Sequence, residues 1–152
     1  MIDILQPIWQ QFGETYEAIR KSVQMFPEDK LEWSPGGTAP SAAVIVHHIS
    51  QANLLYANVI GPTKYKRTPG TKPTPTVAWL MESLDNSEKA VLETLQSITP
   101  ETLIVCREKD WCPLMDEQLV EGSLDALWFA QQMVRHSAYH LGQLSTYLRI
   151  LE

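Results

Sequence analysis

The chain has 152 residues, 44% of them hydrophobic and 20% charged. That balance suits one domain over 1–152 with a core of its own, because about 70% of the unfolded surface can be buried at this length. Two cysteines, Cys106 and Cys112, are too few for a disulfide-stapled secreted scaffold or a four-cysteine zinc finger and read as unpaired thiols in a reduced, cytoplasmic setting. Net charge −6 argues against nucleic acid as a partner. The absence of a leader pattern, and of any apolar run near ~18 residues, argues against export and against a membrane partner.

From Leu5 to Phe26, apolar residues including Ile8, Phe12, Tyr16, Ile19 and Val23 recur at steps of three and four, predicting a first amphipathic helix with Pro7 tolerated in its first turn. Pro27 to Pro40 breaks the period, and Ser41 reads as the N-cap of a second helix from about Ala42 to Ile60. The stretch after Gly61 is rich in Pro and Gly, a long connection that permits a crossover. It also holds Lys64, Lys66, Arg67 and Lys72, which could grip an anion or simply be solvated.

A third helix is predicted from about Val77 to Ile98 on Leu80, Leu84, Val91 and Leu95. Leu103 to Cys106 and Gln118 to Val120 are candidates for a short hairpin. Ser123 is the expected cap of a fourth helix running to the C-terminus, whose only charges between Ala126 and Leu151 are Arg135 and Arg149. So few charges imply burial on more than one side. Four long amphipathic helices without a strand series predict an all-α four-helix bundle, in which sites are built from side chains on facing helices.

All four histidines fall in two clusters, His47 with His48 on the second helix and His136 with His140 on the last. His136 and His140 are four apart, so both project from one face of a helix, the spacing at which two imidazoles bind a single metal ion. On the second helix, His48 has Val44, Ile45, Ala52 and Leu55 at helical spacing, whereas His47 has Ser50 and Gln51, so His48 is expected to face inward. His48, His136 and His140 would leave an open coordination position, as catalytic metal sites do. Core histidines that are merely hydrogen-bonded are the plainer alternative.

Ser137 stands where a zinc metalloprotease motif has its glutamate, so that mechanism lacks its base. No nucleophile elbow, phosphate-binding loop or dinucleotide fingerprint is present. Gln143, one turn past His140, is a candidate to hold a ligand histidine or a bound water, or else a polar residue at the seam's edge. Glu88 on the third helix is a candidate general base or extra ligand, or else a solvated side chain. Trp9, Trp79, Trp111 and Trp128 are read as packing residues that can also line an apolar pocket.

Leu31-Glu32-Trp33-Ser34-Pro35 before the second helix, Ser41 followed by His48-Ile49, and Arg135-His136 with Tyr139-His140-Leu141-Gly142-Gln143-Leu144 on the last helix form three features. Together they resemble the DinB/YfiT-like superfamily of small bacterial four-helix proteins, regarded as metalloenzymes, over nearly the whole chain. The resemblance implies metal ligation by His48, His136 and His140, with zinc, nickel or iron as the divalent ion. It further implies frequent homodimers and, in several branches, transfer or isomerisation reactions that use a low-molecular-weight thiol. Two function classes follow. One is a metal-dependent transferase or hydrolase acting on a small-molecule electrophile; the other is a non-catalytic metal-binding or stress-response bundle.

Overall fold

The computed structural model describes residues 1–68, 70, 74–105 and 124–152. Within them the chain is helical: α1 (Gln6–Met25), α2 (Ala42–Ile60), α3 (Val77–Ser97), the single turn α4 (Pro100–Leu103) and α5 (Ala126–Leu151). A 3-10 turn over Asp3–Leu5 leads into α1, which has proline in its first turn, where the backbone N–H it lacks has no intrahelical acceptor.

Side-chain caps set several of these starts. Ser41 Oγ accepts from the Val44 N–H at 3.3 Å, Thr76 Oγ1 from Trp79 at 3.2 Å and Asp125 Oδ1 from Trp128 at 2.8 Å. The last helix is therefore capped by Asp125 and not by Ser123, which lies outside the described residues along with Cys106, Cys112, Trp111, Lys72 and the Gln118–Val120 half of the expected hairpin. The other half of that hairpin is corrected at Leu103, which belongs to α4. Thr99 and Thr102 form a reciprocal capping box there, and Pro100 sits in the first turn, a combination that favours helix over strand.

Around the bundle the neighbours are α1 with α3, α3 with α2, α2 with α5 and α5 with α1. His47 on α2 stacks on Trp79 near the start of α3, while Gly61 at the end of α2 abuts Thr94 near the end of α3, so these two helices run parallel. By contrast α2 and α5 are antiparallel: Tyr56 meets Phe129, and the Tyr147 hydroxyl donates to the Pro40 carbonyl at 3.1 Å. The first halves of α1 and α5 line one cavity of about 260 Å³, placing Ile8 and Gln11 beside Trp128 and Arg135.

Parallel neighbours cannot be joined by a hairpin, so the segment after Gly61 is the crossover that the sequence permits, a strap running back along α2. Its contacts trace that path. Asn58 Nδ2 donates to the Tyr65 carbonyl at 2.9 Å, and the Thr68 N–H donates to Gln51 Oε1 at 2.7 Å. Lys64 donates to the carbonyls of Asn58 and Gly61, meeting acceptors that the end of α2 leaves without intrahelical donors. Gly61 is required by close approach, for a Cβ there would lie 2.9 Å from Thr94 Cγ2.

The core draws Phe12 and Ile19 from α1, Ile45 and Ile49 from α2, Leu80 and Leu84 from α3, and Phe129, Met133 and Leu144 from α5. Each such side chain contributes about 1.5–3 kcal/mol on burial. One polar layer crosses this core, with one residue from each long helix. Asn53 Nδ2 donates to the Tyr16 hydroxyl at 2.7 Å and to Ser137 Oγ at 3.1 Å, and the Tyr16 and Ser87 hydroxyls pair at 2.9 Å. No described helix is long and apolar enough to cross a membrane.

Candidate metal centre

The antiparallel register of α2 and α5 decides where the histidines meet. With Tyr56 opposite Phe129 and Pro40 opposite Tyr147, the residue that falls between them on α2 is His48, and the residues between them on α5 are His136 and His140. The Nε2 atoms of His48 and His136 lie 3.0 Å apart and those of His140 and His136 3.2 Å apart. The three rings sit mutually tilted, with centroids 4.5–4.9 Å apart. All three side chains are half-buried, so the cluster is open on one side.

Gln143 falls where the sequence places it, one turn past His140, and its Oε1 accepts from His140 Nδ1 at 2.7 Å. That bond puts the proton of a neutral His140 on Nδ1 and leaves the Nε2 lone pair aimed at the other two rings. The Gln143 amide in turn donates to the Tyr139 hydroxyl at 3.4 Å, and the exposed Tyr139 ring packs edge-on against His140. His136 presents an edge-on ring to Tyr56, and its Nδ1 is buried without a partner among the described residues.

Electrostatics keep the cluster neutral. Burial, reinforced by His140 and His48, holds His136 down to about 3. His48 is lowered by burial, with His140, Arg67 and His47 adding repulsion, and His140 is lowered by burial against an opposing hydrogen bond from Gln143. Neutral imidazole is the form that binds metal.

The donor set fits a divalent ion. Tetrahedral coordination with metal–nitrogen bonds of about 2.0–2.1 Å sets ligand atoms about 3.3 Å apart, close to the 3.0 and 3.2 Å separations of the Nε2 atoms. Ring protons cannot satisfy all three Nε2 atoms at once when His140 already spends its proton on Gln143, whereas one cation satisfies three lone pairs together. His48, His136 and His140 can thus hold a metal ion, and no carboxylate or thiol of the described residues joins them.

Glu88 is not part of this group. Its carboxylate pairs with Arg20 of α1, which also binds Asp85 at 2.8 Å, so the candidate base is tied up in an ion pair between α1 and α3. His47 also departs from expectation. It is 5% exposed, more buried than His48, with its Nε2 bonded to the Thr68 carbonyl at 2.8 Å and its ring stacked on Trp79 at 4.9 Å. The α2 helix has no single inward face: it packs against both α3 and α5, so consecutive residues can each meet a helix.

The family model of the DinB superfamily matches residues 11–144. The chain belongs to the DinB superfamily. The matched span contains all three clustered histidines of this DinB-superfamily chain, together with Gln143 and the strap. Comparison with curated proteins and with solved structures returns no match.

Proposed function

We propose that this DinB-superfamily protein is a divalent-metal-dependent enzyme acting on a small electrophile, with zinc the first choice of ion and nickel or iron the others. The convergence of three neutral Nε2 atoms carries this reading. When bound, the ion supplies a Lewis acid that lowers the pKa of a coordinated water or thiol. His48, His136 and His140 would hold it, and Gln143 fixes the tautomer of His140. With Glu88 held by Arg20 and no carboxylate of the described residues in the cluster, the attacking group is assigned to solvent or to a low-molecular-weight thiol. A borderline-soft ion on nitrogen donors favours the thiol.

The test is metal analysis of untagged protein, followed by rates of thiol addition and of hydrolysis on a panel of small electrophiles, compared with His140→Ala. A rate that depends on the ion and is lost in His140→Ala supports the enzyme. Stoichiometric metal with equal rates in both proteins leaves a non-catalytic metal-binding bundle.

A further inference from the structure

The strap carries a cation that the histidine centre does not use. Arg67 Nε donates to the Gln51 carbonyl at 3.1 Å, and the next residue is clamped twice, through its N–H on Gln51 Oε1 at 2.7 Å and its carbonyl on His47 Nε2 at 2.8 Å. Gln51 lies three residues after His48, hence one turn along on the same side of α2. The strap is thereby bonded to α2 one turn from His48, and Arg67 is held there.

The other described cations of the strap are occupied differently. Lys64 binds carbonyls at the end of α2, and Lys66 lines a cavity of about 200 Å³ with His47, Trp79 and Glu82. Arg67 alone of the three bonds α2 at Gln51, one turn from His48, and its terminal nitrogens have neither a hydrogen bond nor an ion pair among the described residues. In a chain of net charge −6, an exposed Arg positioned by its Nε, whose terminal amino groups have no partner among the described residues, is suited to receive an anion.

The two sites complement each other. Three neutral imidazoles bring no negative charge to a divalent ion, so an anion is attracted from both directions. One guanidinium beside a carbonyl oxygen suits a monoanion better than a phosphate dianion, and its planar fork matches a carboxylate.

We propose that Arg67 and the three-histidine centre form one composite site for a small molecule bearing a carboxylate at one end and its reactive or metal-binding group at the other. The inference rests on the metal-centre reading and adds the substrate class to it. Arg67 is the residue that selects for the acid.

Cobalt(II)-loaded full-length protein tests it, with 2-mercaptoacetate, 3-mercaptopropionate and 4-mercaptobutyrate titrated against their primary amides and followed by the sulfur-to-cobalt charge-transfer band. At least one acid is expected to bind about 10-fold more tightly than its amide. Arg67→Gln should bring that acid to parity while leaving the amide unchanged, and Lys66→Gln should keep the preference. Circular dichroism checks that the variants fold, which is expected because the strap is held through the backbone of Thr68. A preference that is absent from the parent protein, or that survives Arg67→Gln, overturns the subsite alone. Failure to take up stoichiometric cobalt overturns the metal centre and the composite site with it, whereas stoichiometric cobalt without any cobalt–thiolate band overturns the composite site alone.

Discussion

His47 and His48 are consecutive in the chain yet belong to different helix pairs, His47 stacked on Trp79 of α3 and His48 with its Nε2 3.0 Å from that of His136 on α5. Substitution should separate the two roles. His48→Ala, His136→Ala and His140→Ala are each expected to abolish stoichiometric metal with little loss of stability. His47→Ala should keep the metal but lower stability by about 1–3 kcal/mol, since it removes a buried ring and strands the Thr68 carbonyl. Metal content and urea midpoints on the same four proteins decide it, and loss of metal in His47→Ala with retention in His48→Ala would reverse the assignment.

Gln143 would act on a bound ion through His140, whose Nδ1 it holds. Gln143→Leu frees that ring to rotate and to change tautomer, and metal affinity should fall by about 10–100-fold while the fold persists. Competition with a chromogenic chelator measures it; unchanged affinity would show that ring packing alone orients His140.

Proton competition should set in late. The folded-state pKa values of all three ligands are lowered, His136 to about 3, so the binding form survives as pH falls through 6.5. Metal affinity should therefore change little between pH 7.5 and 6.5 and decline only below. In the chelated protein the unfolded chain takes up protons near pH 6.5 while the folded cluster resists them, so stability falls as pH falls below that value. Melting curves from pH 7.5 to 4.5 read the second effect, and a rising midpoint would contradict it.

Tyr16 gives the opposite limb. Burial raises its hydroxyl to about 12, above the 10.0 of a free tyrosine, so the folded state keeps a proton that the unfolded state gives up, and stability falls as pH rises from 10 towards 12. Tyr16→Phe should flatten that alkaline loss. The polar layer itself predicts that Asn53→Ala lowers stability by about 2–3 kcal/mol, because Ser137 and Tyr16 lose their donor inside the core.

The expected homodimer remains a proposal with a simple measurement. Met133 and Leu144 of α5 are consumed by the core, while Tyr139 and Ile150 stay 65% and 55% exposed and lie eleven residues apart, nearly in phase on the helix. Light scattering at micromolar concentrations is expected to give the mass of two chains, and a monomer would remove α5 as an interface.

Local signals in the sequence were the readable ones. Ser41 marks the start of α2, and apolar steps of three and four mark α1, α3 and α5, because capping and amphipathicity act within a few residues. Spacing pairs His136 with His140 for the same reason, whereas phase alone does not choose His48, because α2 buries His47 as well. What lay beyond reach was pairwise and distant. Nothing near Glu88 announces Arg20, 68 residues away, and nothing near His47 announces that the strap returns to it. Asp125 and Ser123 are both capping residue types, and local pattern alone does not choose between them.

The histidines of the centre lie 88 residues apart in the chain, His48 on α2 and His136 on α5. During synthesis at about 5–20 residues per second, roughly four to eighteen seconds separate their appearance. Until α5 has emerged, the nascent chain offers one imidazole of the three, a weak ligand for any ion. Capture of an ion by all three histidines would therefore follow the emergence of α5. Selection among candidate ions would then fall to a folded site meeting the cell's free-ion pool, so that a metal found in purified protein would read that pool as much as the protein.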